Sequence, residues 1–360
     1  MERTWKKQYY KPGDEHEIQE LFKLVFSKEM GKSESKDHWN WEFMKNPNGP
    51  GEILLAVDHN KIVGHYAVIP EKMKIKNKEI MGTLSLDTMV HPDYQGQRIF
   101  TILASSLYED IGKKDMPITY GFPNKNSIHG ITSTLDWVEI AILPVLQLTI
   151  EPEKVIKKAL KSKILGKMGS LLVRKKRLSE MPETSGKDWE IEKIDMFDEE
   201  FDDIFNHGAA DIKVITVRDN KYLNWRYIEK PENDYECFCI FKNNKKYGYI
   251  VLRSEEKFDL NSGFVVDYFS KRSDPELDTL LISWGTDYLN YHEVDIVIAM
   301  MFSHIPYYKI FRKLGYFRIP RKMFPKDIYF SARKNNEDID FNMVSDKNSW
   351  YLTWGDTDVI

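Results

Sequence analysis

The stretch with the residue types and spacing best suited to chemistry runs Leu84-Ser85-Leu86-Asp87-Thr88-Met89-Val90-His91-Pro92-Asp93-Tyr94-Gln95-Gly96-Gln97-Arg98-Ile99-Phe100. It reads as a strand, a Pro-bounded turn and the start of a helix. The first N–H groups of a helix lack partners and carry the positive end of its dipole, an arrangement that suits a pyrophosphate. Gly96 lets the backbone come close to such a group, and Arg98 adds a charge. On residue types alone, an ordinary strand-to-helix connection reads the same way. The two cysteines, Cys237 and Cys239, offer less. They stand one residue apart in an apolar run, so a strand points both to one face, and they neither staple distant segments nor form a metal cluster.

The elements that must position this stretch occur twice. Asn40-Trp41 falls on Asn224-Trp225 at an offset of 184 residues. Without gaps, Pro47 then falls on Pro231, Glu52 on Glu236, Asn60 on Asn244, Lys61 on Lys245 and Gly64 on Gly248. These seven identities between residues 40 and 68 compare with about two expected by chance. At an offset of 180, Leu86-Asp87-Thr88-Met89 falls on Val266-Asp267-Tyr268-Phe269. Each copy predicts a short strand, an amphipathic helix, a hairpin, a third strand, a helix, another strand, a helical segment and a last strand. In the first copy Asp14 and Glu17 suit a helix start, and Ile18, Leu21, Phe22 and Val25 follow at helical spacing. The polar Asp58-His59-Asn60-Lys61 splits a hairpin. The fold class is mixed α/β, organised as residues 1–150, a linker over 151–187, a second copy over 188–330 and a tail over 331–360. The linker, with Lys154, Lys157, Lys158, Lys161, Lys163 and Lys167 among apolar residues and then Arg174 to Arg177, reads as a basic amphipathic connecting helix. In the tail, Trp350 to Trp354 reads as a final strand.

Met89-Val90-His91-Pro92-Asp93-Tyr94-Gln95-Gly96-Gln97 resembles the acetyl-CoA-binding signature of the GNAT N-acetyltransferase superfamily, and the element order agrees. That loop usually reads Gln/Arg-x-x-Gly-x-Gly/Ala. Gln95 matches its first position, whereas Arg98 and Phe100 stand at the two small-residue positions. The resemblance implies two GNAT-like domains, each a mixed, partly antiparallel sheet flanked by helices. It further implies that Leu84–Val90 and Ile118–Phe122 splay apart and grip a pantetheine. Acetyl-CoA would be held by Thr88, Met89 and Val90 on the strand, by Gln95, Gly96, Gln97, Arg98, Ile99 and Phe100 at the loop and helix start, and by Asn126. Acyl transfer then needs a neutral amine, a stabilised oxyanion and a proton for the thiolate. Asp87 is a candidate base. The Tyr that the family commonly uses as acid would fall at Thr132, so His129 and Tyr120 stand as candidates in its place. The second copy has no glycine in the matching loop, and Asp274-Pro275 starts its helix, so it reads as a degenerate partner.

Composition narrows the rest. The chain has 360 residues with 52 Lys plus Arg against 56 Asp plus Glu, a formal charge of -4, which disfavours wholesale nucleic-acid binding. Apolar residues are 42% of the chain, enough for ordinary cores. No secretory signal or bilayer-spanning run is read in it, so membrane insertion is not expected and the cytoplasm is the default expectation. The expected activity is transfer of an acetyl or short acyl group from acetyl-CoA to a primary amine of a small molecule, without a metal. Trp39, Trp41, Tyr66 and Trp225 favour an acceptor with a small stacked ring. The rival readings are a non-catalytic acyl-CoA-binding module and an aminoacyl-tRNA-dependent transferase on a doubled fold. Oligomeric state is left open.

Overall fold

The computed structural model describes residues 3–30, 35–161, 177–257, 259–321 and 327–357. The first half of the chain runs β1 (Lys6–Tyr9), α1 (Glu15–Met30), α2 (Lys36–Met44), β2 (Glu52–Asp58), β3 (Lys61–Ile75), β4 (Lys78–Val90), α3 (Ile99–Lys113), β5 (Ile118–Gly121), α4 (Lys125–Thr134), β6 (Val138–Ile142), β7 (Val145–Thr149) and α5 (Pro152–Lys161). The second half runs β8 (Trp189–Ile194), α6 (Glu200–Gly208), β9 (Val214–Thr216), α7 (Asn220–Tyr227), β10 (Glu236–Lys242), β11 (Lys245–Lys257), β12 (Leu260–Ser270), α8 (Pro275–Tyr291), β13 (Ile296–Met300), α9 (Tyr307–Lys313) and β14 (Phe317–Arg318). It closes with β15 (Tyr329–Lys334) and α10 (Phe341–Val344). The mixed α/β class read from the sequence is what the chain adopts.

Two compact units result, and neither is one continuous stretch of chain. The first takes residues 1–142, 229–232 and 328–347, and the second takes 143–228, 233–327 and 348–360. In the first unit the sheet runs β1-β2-β3-β4-β5-β15-β6, and in the second β8-β10-β11-β12-β13-β7-β14. Position by position the orders correspond, with a parallel pair at the same place: β4 with β5, and β12 with β13. The sixth position in each sheet is filled by a strand from the other half of the sequence. Thus β15 pairs antiparallel with β5 and β6, and β7 with β13 and β14.

Local chemistry explains the hairpins. His59 and Asn60 have φ of 46° and 63°, and Asn243 and Asn244 have 48° and 62°, the left-handed pair that a two-residue hairpin turn demands. In the first unit α3 and α4 share one core with the sheet, through Leu103, Leu107, Ile111, Ile128, Ile131 and Trp137 against Leu54, Val63 and Val68. Adjacent residues of β3 point to opposite faces, so Tyr66 enters that core while His65 meets Phe43 of α2 behind the sheet, with ring centroids 6.1 Å apart. Gly64 is small for a reason: a Cβ there would stand 2.4 Å from Ile99 Cγ2, so its absence lets the first turn of α3 sit on β3.

The tail corrects one expectation. Trp350 to Trp354 is no final strand beyond an isolated bridge of Trp350 with Val214, and among the described residues β15 is the last strand. The segment is buried because side chains, rather than a ladder, satisfy its backbone. Arg226 donates to the carbonyls of Gly355 (3.0 Å) and Thr357 (2.8 Å), and Asp356 Oδ2 accepts from the Thr353 amide (2.8 Å). In the linker, α5 is helical as read, with Val155 buried and Lys154 Nζ 2.7 Å from Asp295 Oδ1. Lys163, Lys167 and Arg174 to Lys176 lie outside the described residues, as do the side chains of Lys158 and Lys161. Among the described residues no helix is long and apolar enough to cross a membrane.

Candidate functional site

The site is built around β4. Its pairing with β5 consists of Thr83 with Thr119, Leu84 with Tyr120 and Ser85 with Gly121, and then it stops. Beyond Ser85 β4 runs on to Val90 while β5 ends at Gly121, so among the described residues the stretch Leu86 to Val90 has no ladder partner on the β5 side, and the end of this pairing is called the fork below. On the other side of β4, Ala67 pairs with Leu86 and His65 with Met89, which leaves Asp87 and Thr88 opposite Tyr66 as a bulge. Asp87 takes φ of 48°, a left-handed conformation that costs energy at a residue with a Cβ and that re-aims the strand here.

His65 holds this bulge. Its Nδ1 lies 2.7 Å from the Asp87 carbonyl oxygen, which only accepts, so Nδ1 carries the hydrogen and Nε2 the lone pair. Burial pushes the His65 pKa down to about 4, against the weaker upward pull of that carbonyl, so the ring is neutral at pH 7.

The loop after β4 leads into α3. Pro92–Tyr94 forms a single 3-10 turn in which the His91 side chain accepts from the Asp93 amide. Tyr94 Oη donates to Asp58 Oδ2 (2.8 Å) at the β2–β3 turn, and Thr4 donates to the same oxygen (2.9 Å), which fixes the loop on the sheet. These bonds, that from Tyr94 foremost, hold the Asp58 carboxyl below its usual range. Gln95, Gly96, Gln97 and Arg98 are exposed. Gly96 has φ of 79° with open space where a Cβ would stand, and Arg98 has φ of 58°. Arg98 is the N-cap of α3, and no side chain caps that helix. An uncapped first turn is the arrangement that, on general grounds, suits an anion.

The other unit differs at the same place. Asp274 caps α8, accepting from the amides of Glu276 (3.1 Å) and Leu277 (3.2 Å), and it also pairs with Lys242. Pro275 follows without an N–H. The parallel pairing of β12 with β13 ends at Val265 with Ala299, but there the chain's own tail lies against the strand. Tyr351 Oη donates to the Tyr268 carbonyl (2.6 Å), and Thr353 Oγ1 to Asp267 Oδ1 (2.9 Å). Asp267 is fully buried beside Arg218 and accepts from the Tyr227 and Tyr249 hydroxyls, each at 3.0 Å. It is a structural carboxylate; Asp87, which aligns with it in sequence, is half-buried at the bulge.

The remaining sequence candidates fall as follows. Met89 and Ile99 are buried, while Thr88 and Val90 are partly accessible on β4. Phe100 turns its ring inward against Tyr66 (5.8 Å between centroids), so only its backbone faces the helix end. Asn126 and His129 are exposed on α4, whose N-cap is Asn124. Tyr120 is buried on β5 between Phe122 and Phe330. Among the described residues His129 makes no hydrogen bond or ring contact with Asp87 or Tyr120. The stacking platform for an acceptor is corrected outright: Trp39, Trp41, Tyr66 and Trp225 are 1–3% exposed and fill cores. Among the described residues no group of His, Cys, Asp and Glu could hold a metal, and burial raises both thiols, Cys237 to about 12. Sequence reasoning passed over His65, the Tyr94 anchor and the small residues Gly64 and Gly121, which matter through contacts across strands that carry no local signature.

Comparison with known proteins completes the picture. Residues 7–138 match the model of the acetyltransferase (GNAT) domain. No curated protein matches the chain. Among solved structures the fold is similar to a GCN5-related N-acetyltransferase from Anabaena variabilis, at 12% identity and a TM-score of 0.64 over 92% of this chain and 73% of that one. It is similar to a conserved protein of unknown function and probable N-acyltransferase from Enterococcus faecalis, at 10% identity and a TM-score of 0.63 over 93% and 73%. It is also similar to Saccharomyces cerevisiae N-myristoyltransferase with bound myristoyl-CoA, at 11% identity and a TM-score of 0.60 over 92% and 82%.

Proposed function

We propose, from the premise that residues 7–138 form a GNAT acetyltransferase domain, that this chain transfers an acetyl or short acyl group from acyl-CoA to a primary amine of a small molecule. The observation that carries the reading is the contrast between two helix ends. The first turn of α3 is uncapped and follows an exposed Gly96–Arg98 loop beside an open strand fork, whereas Asp274 and Pro275 consume the same groups in α8. The second unit then serves as a degenerate copy. The pyrophosphate falls to the amides at the start of α3 with Gly96 and Arg98, and the pantetheine to the free edge of β4 at Thr88, Met89 and Val90.

The acyl-CoA supplies an activated thioester. Asp87, set at the bulge by His65, takes the proton of the attacking amine. The nitrogen lone pair forms the C–N bond, the C–S bond breaks with its electron pair on sulfur, and the proton removed from nitrogen returns to the thiolate by way of solvent. His129 and Tyr120 have no assigned step, and proximity supplies much of the rate. Support for an acyl-CoA cosubstrate also comes from the fold shared with the yeast enzyme.

The test is thiol release from acetyl-CoA in the presence of an amine library, repeated with myristoyl-CoA to set chain length. Amine-dependent release that is lost in Asp87→Asn supports the reading. CoA binding without turnover on any amine would favour a non-catalytic module, and absence of CoA binding would refute it.

A further inference from the structure

The base of the fork holds one more polar group. Ser85 is the last β4 residue paired with β5, and its partner there is Gly121. A Cβ on Gly121 would lie 3.2 Å from the Ser85 carbonyl oxygen and 3.5 Å from both Ser85 Cβ and Trp137 Cη2. The fork therefore closes on a serine, a glycine and the edge of an indole. Ser85 is partly exposed, whereas the residues behind it are not.

Behind Ser85 runs a line of hydrogen bonds: Trp137 Nε1 to Tyr108 Oη at 2.9 Å, Tyr108 Oη to Tyr66 Oη at 2.5 Å, and Tyr66 Oη to Ser85 Oγ at 2.8 Å. Its direction is fixed at one end. An indole N–H only donates, so Tyr108 accepts from Trp137. The Tyr108 hydrogen then needs an acceptor inside a closed core, and among the described residues the Tyr66 hydroxyl is its only other hydrogen-bond partner. Tyr66, having accepted, donates to Ser85. The reverse polarity would strand the buried Tyr108 hydrogen. Ser85 Oγ accepts from within, and its own hydrogen is left for the fork, strengthened by donors that all point the same way.

We infer that Ser85 donates this hydrogen to the carbonyl oxygen of the acyl thioester, with Tyr66, Tyr108 and Trp137 as positioning residues that set the direction of donation. The inference rests on the acyl-CoA reading above, which places the thioester where β4 and β5 part. Burial raises the pKa of Tyr66 to about 12 and holds that of Tyr108 well above its ordinary value, so the line keeps its protons at neutral pH. It supplies a hydrogen bond to a developing oxyanion and transfers no proton.

The experiment is infrared difference spectroscopy of acetyl-CoA carrying 13C at its carbonyl, bound to the full chain, with calorimetry of CoA itself alongside. In the wild type the thioester carbonyl band is expected below its position in free acetyl-CoA. Ser85→Ala should return it toward the free value, Ser85→Thr should restore the shift, and Tyr66→Phe should weaken it, all with CoA affinity held within about threefold. Turnover of Ser85→Ala should fall about tenfold to a hundredfold in kcat with little change in KM. An identical band in wild type and Ser85→Ala, both bound, would overturn the inference while leaving the acyl-CoA reading intact. So would a loss of CoA affinity beyond about tenfold in Ser85→Ala, because the hydroxyl would then serve the pantetheine rather than the thioester. Failure of the wild type to bind CoA would overturn the underlying reading and this inference with it.

Discussion

Gly64 gives the sharpest handle on how the fold sets the helix end. A methyl group there would stand 2.4 Å from Ile99 Cγ2 and 3.1 Å from Ala56 Cβ, where ordinary van der Waals contact begins at 3.4 Å. Gly64→Ala therefore drives the first turn of α3 outward by about 1 Å, since the backbone of β3 is held on both sides by β2 and β4. Overpacking of this kind costs about 1–3 kcal/mol. Ile99 is the first residue of α3 and directly follows Arg98, so the displacement moves the very amides assigned to the pyrophosphate. We expect CoA affinity to fall about tenfold, the loss of roughly one hydrogen bond to a charged group. The second change, Ile99→Ala, removes the clashing methyl. The double variant should regain most of the affinity even though it forfeits the burial of Ile99, a coupling between contacting sites rather than a sum. Denaturant midpoints and CoA calorimetry on the two single variants and the double variant measure both terms. Unchanged midpoint and affinity in Gly64→Ala, or strict additivity in the double variant, would refute the claim that close packing at this glycine fixes the helix end.

Calorimetry should give about one CoA per chain, and Gly96→Pro, which cannot adopt the φ of 79° seen there, should abolish binding; two equal sites or undiminished binding would place the cofactor elsewhere. His65 has a folded pKa of about 4 against about 6.5 when unfolded, so the unfolded chain binds the extra proton between those values. Stability should accordingly fall as pH drops from 6.5 to 4, by at most about 3 kcal/mol, and His65→Gln should flatten that slope; equal slopes in both proteins would contradict it. Asp267→Ala leaves Arg218 short of a buried partner and strips an acceptor from Tyr227 and Tyr249, so a loss of about 3–5 kcal/mol in chemical unfolding is expected, and a loss under about 1 would show the network to be dispensable. His129→Ala should lower turnover less than about tenfold, whereas a thousandfold loss at intact CoA affinity would identify it as the acid.

The loop and its helix were legible because their signals are local: Pro92, Gly96 and the apolar spacing of α3 lie within a few turns of chain. So was the capped start of α8, since Asp274-Pro275 announces it by itself. The matched hairpins of the two halves were legible too, since Asn60 and Asn244 both answer the same need for a positive φ. What escaped depends on distance along the chain. Tyr66 meets Tyr108 from 42 residues away, and His65 reaches Asp87 across 22, so nothing in either neighbourhood marks these side chains as belonging to a site. The aromatic residues misled for a related reason: type and abundance suggested a binding surface, while burial, which only the assembled sheets decide, made them core. The tail misled because Trp350 to Trp354 is a short run of aromatic, apolar and β-branched residues of the kind strands favour, yet Arg226 and Asp356 supply its backbone partners.

The strand that fills the gap between β5 and β6 comes from far downstream, and this bears on how the chain is made. Thr119 pairs with Arg333, roughly 200 residues later, which is contact order of the costly kind. During synthesis the amino-terminal sheet must wait with β5 and β6 apart, two open edges exposed to any passing strand, until residues 329–334 have left the ribosome. The reciprocal loan of β7 works in the opposite sense, since it is ready and waiting when the later sheet forms. Expressing either half alone would therefore yield a sheet missing an interior member, and the two halves supplied as separate chains would have to trade strands before either could close.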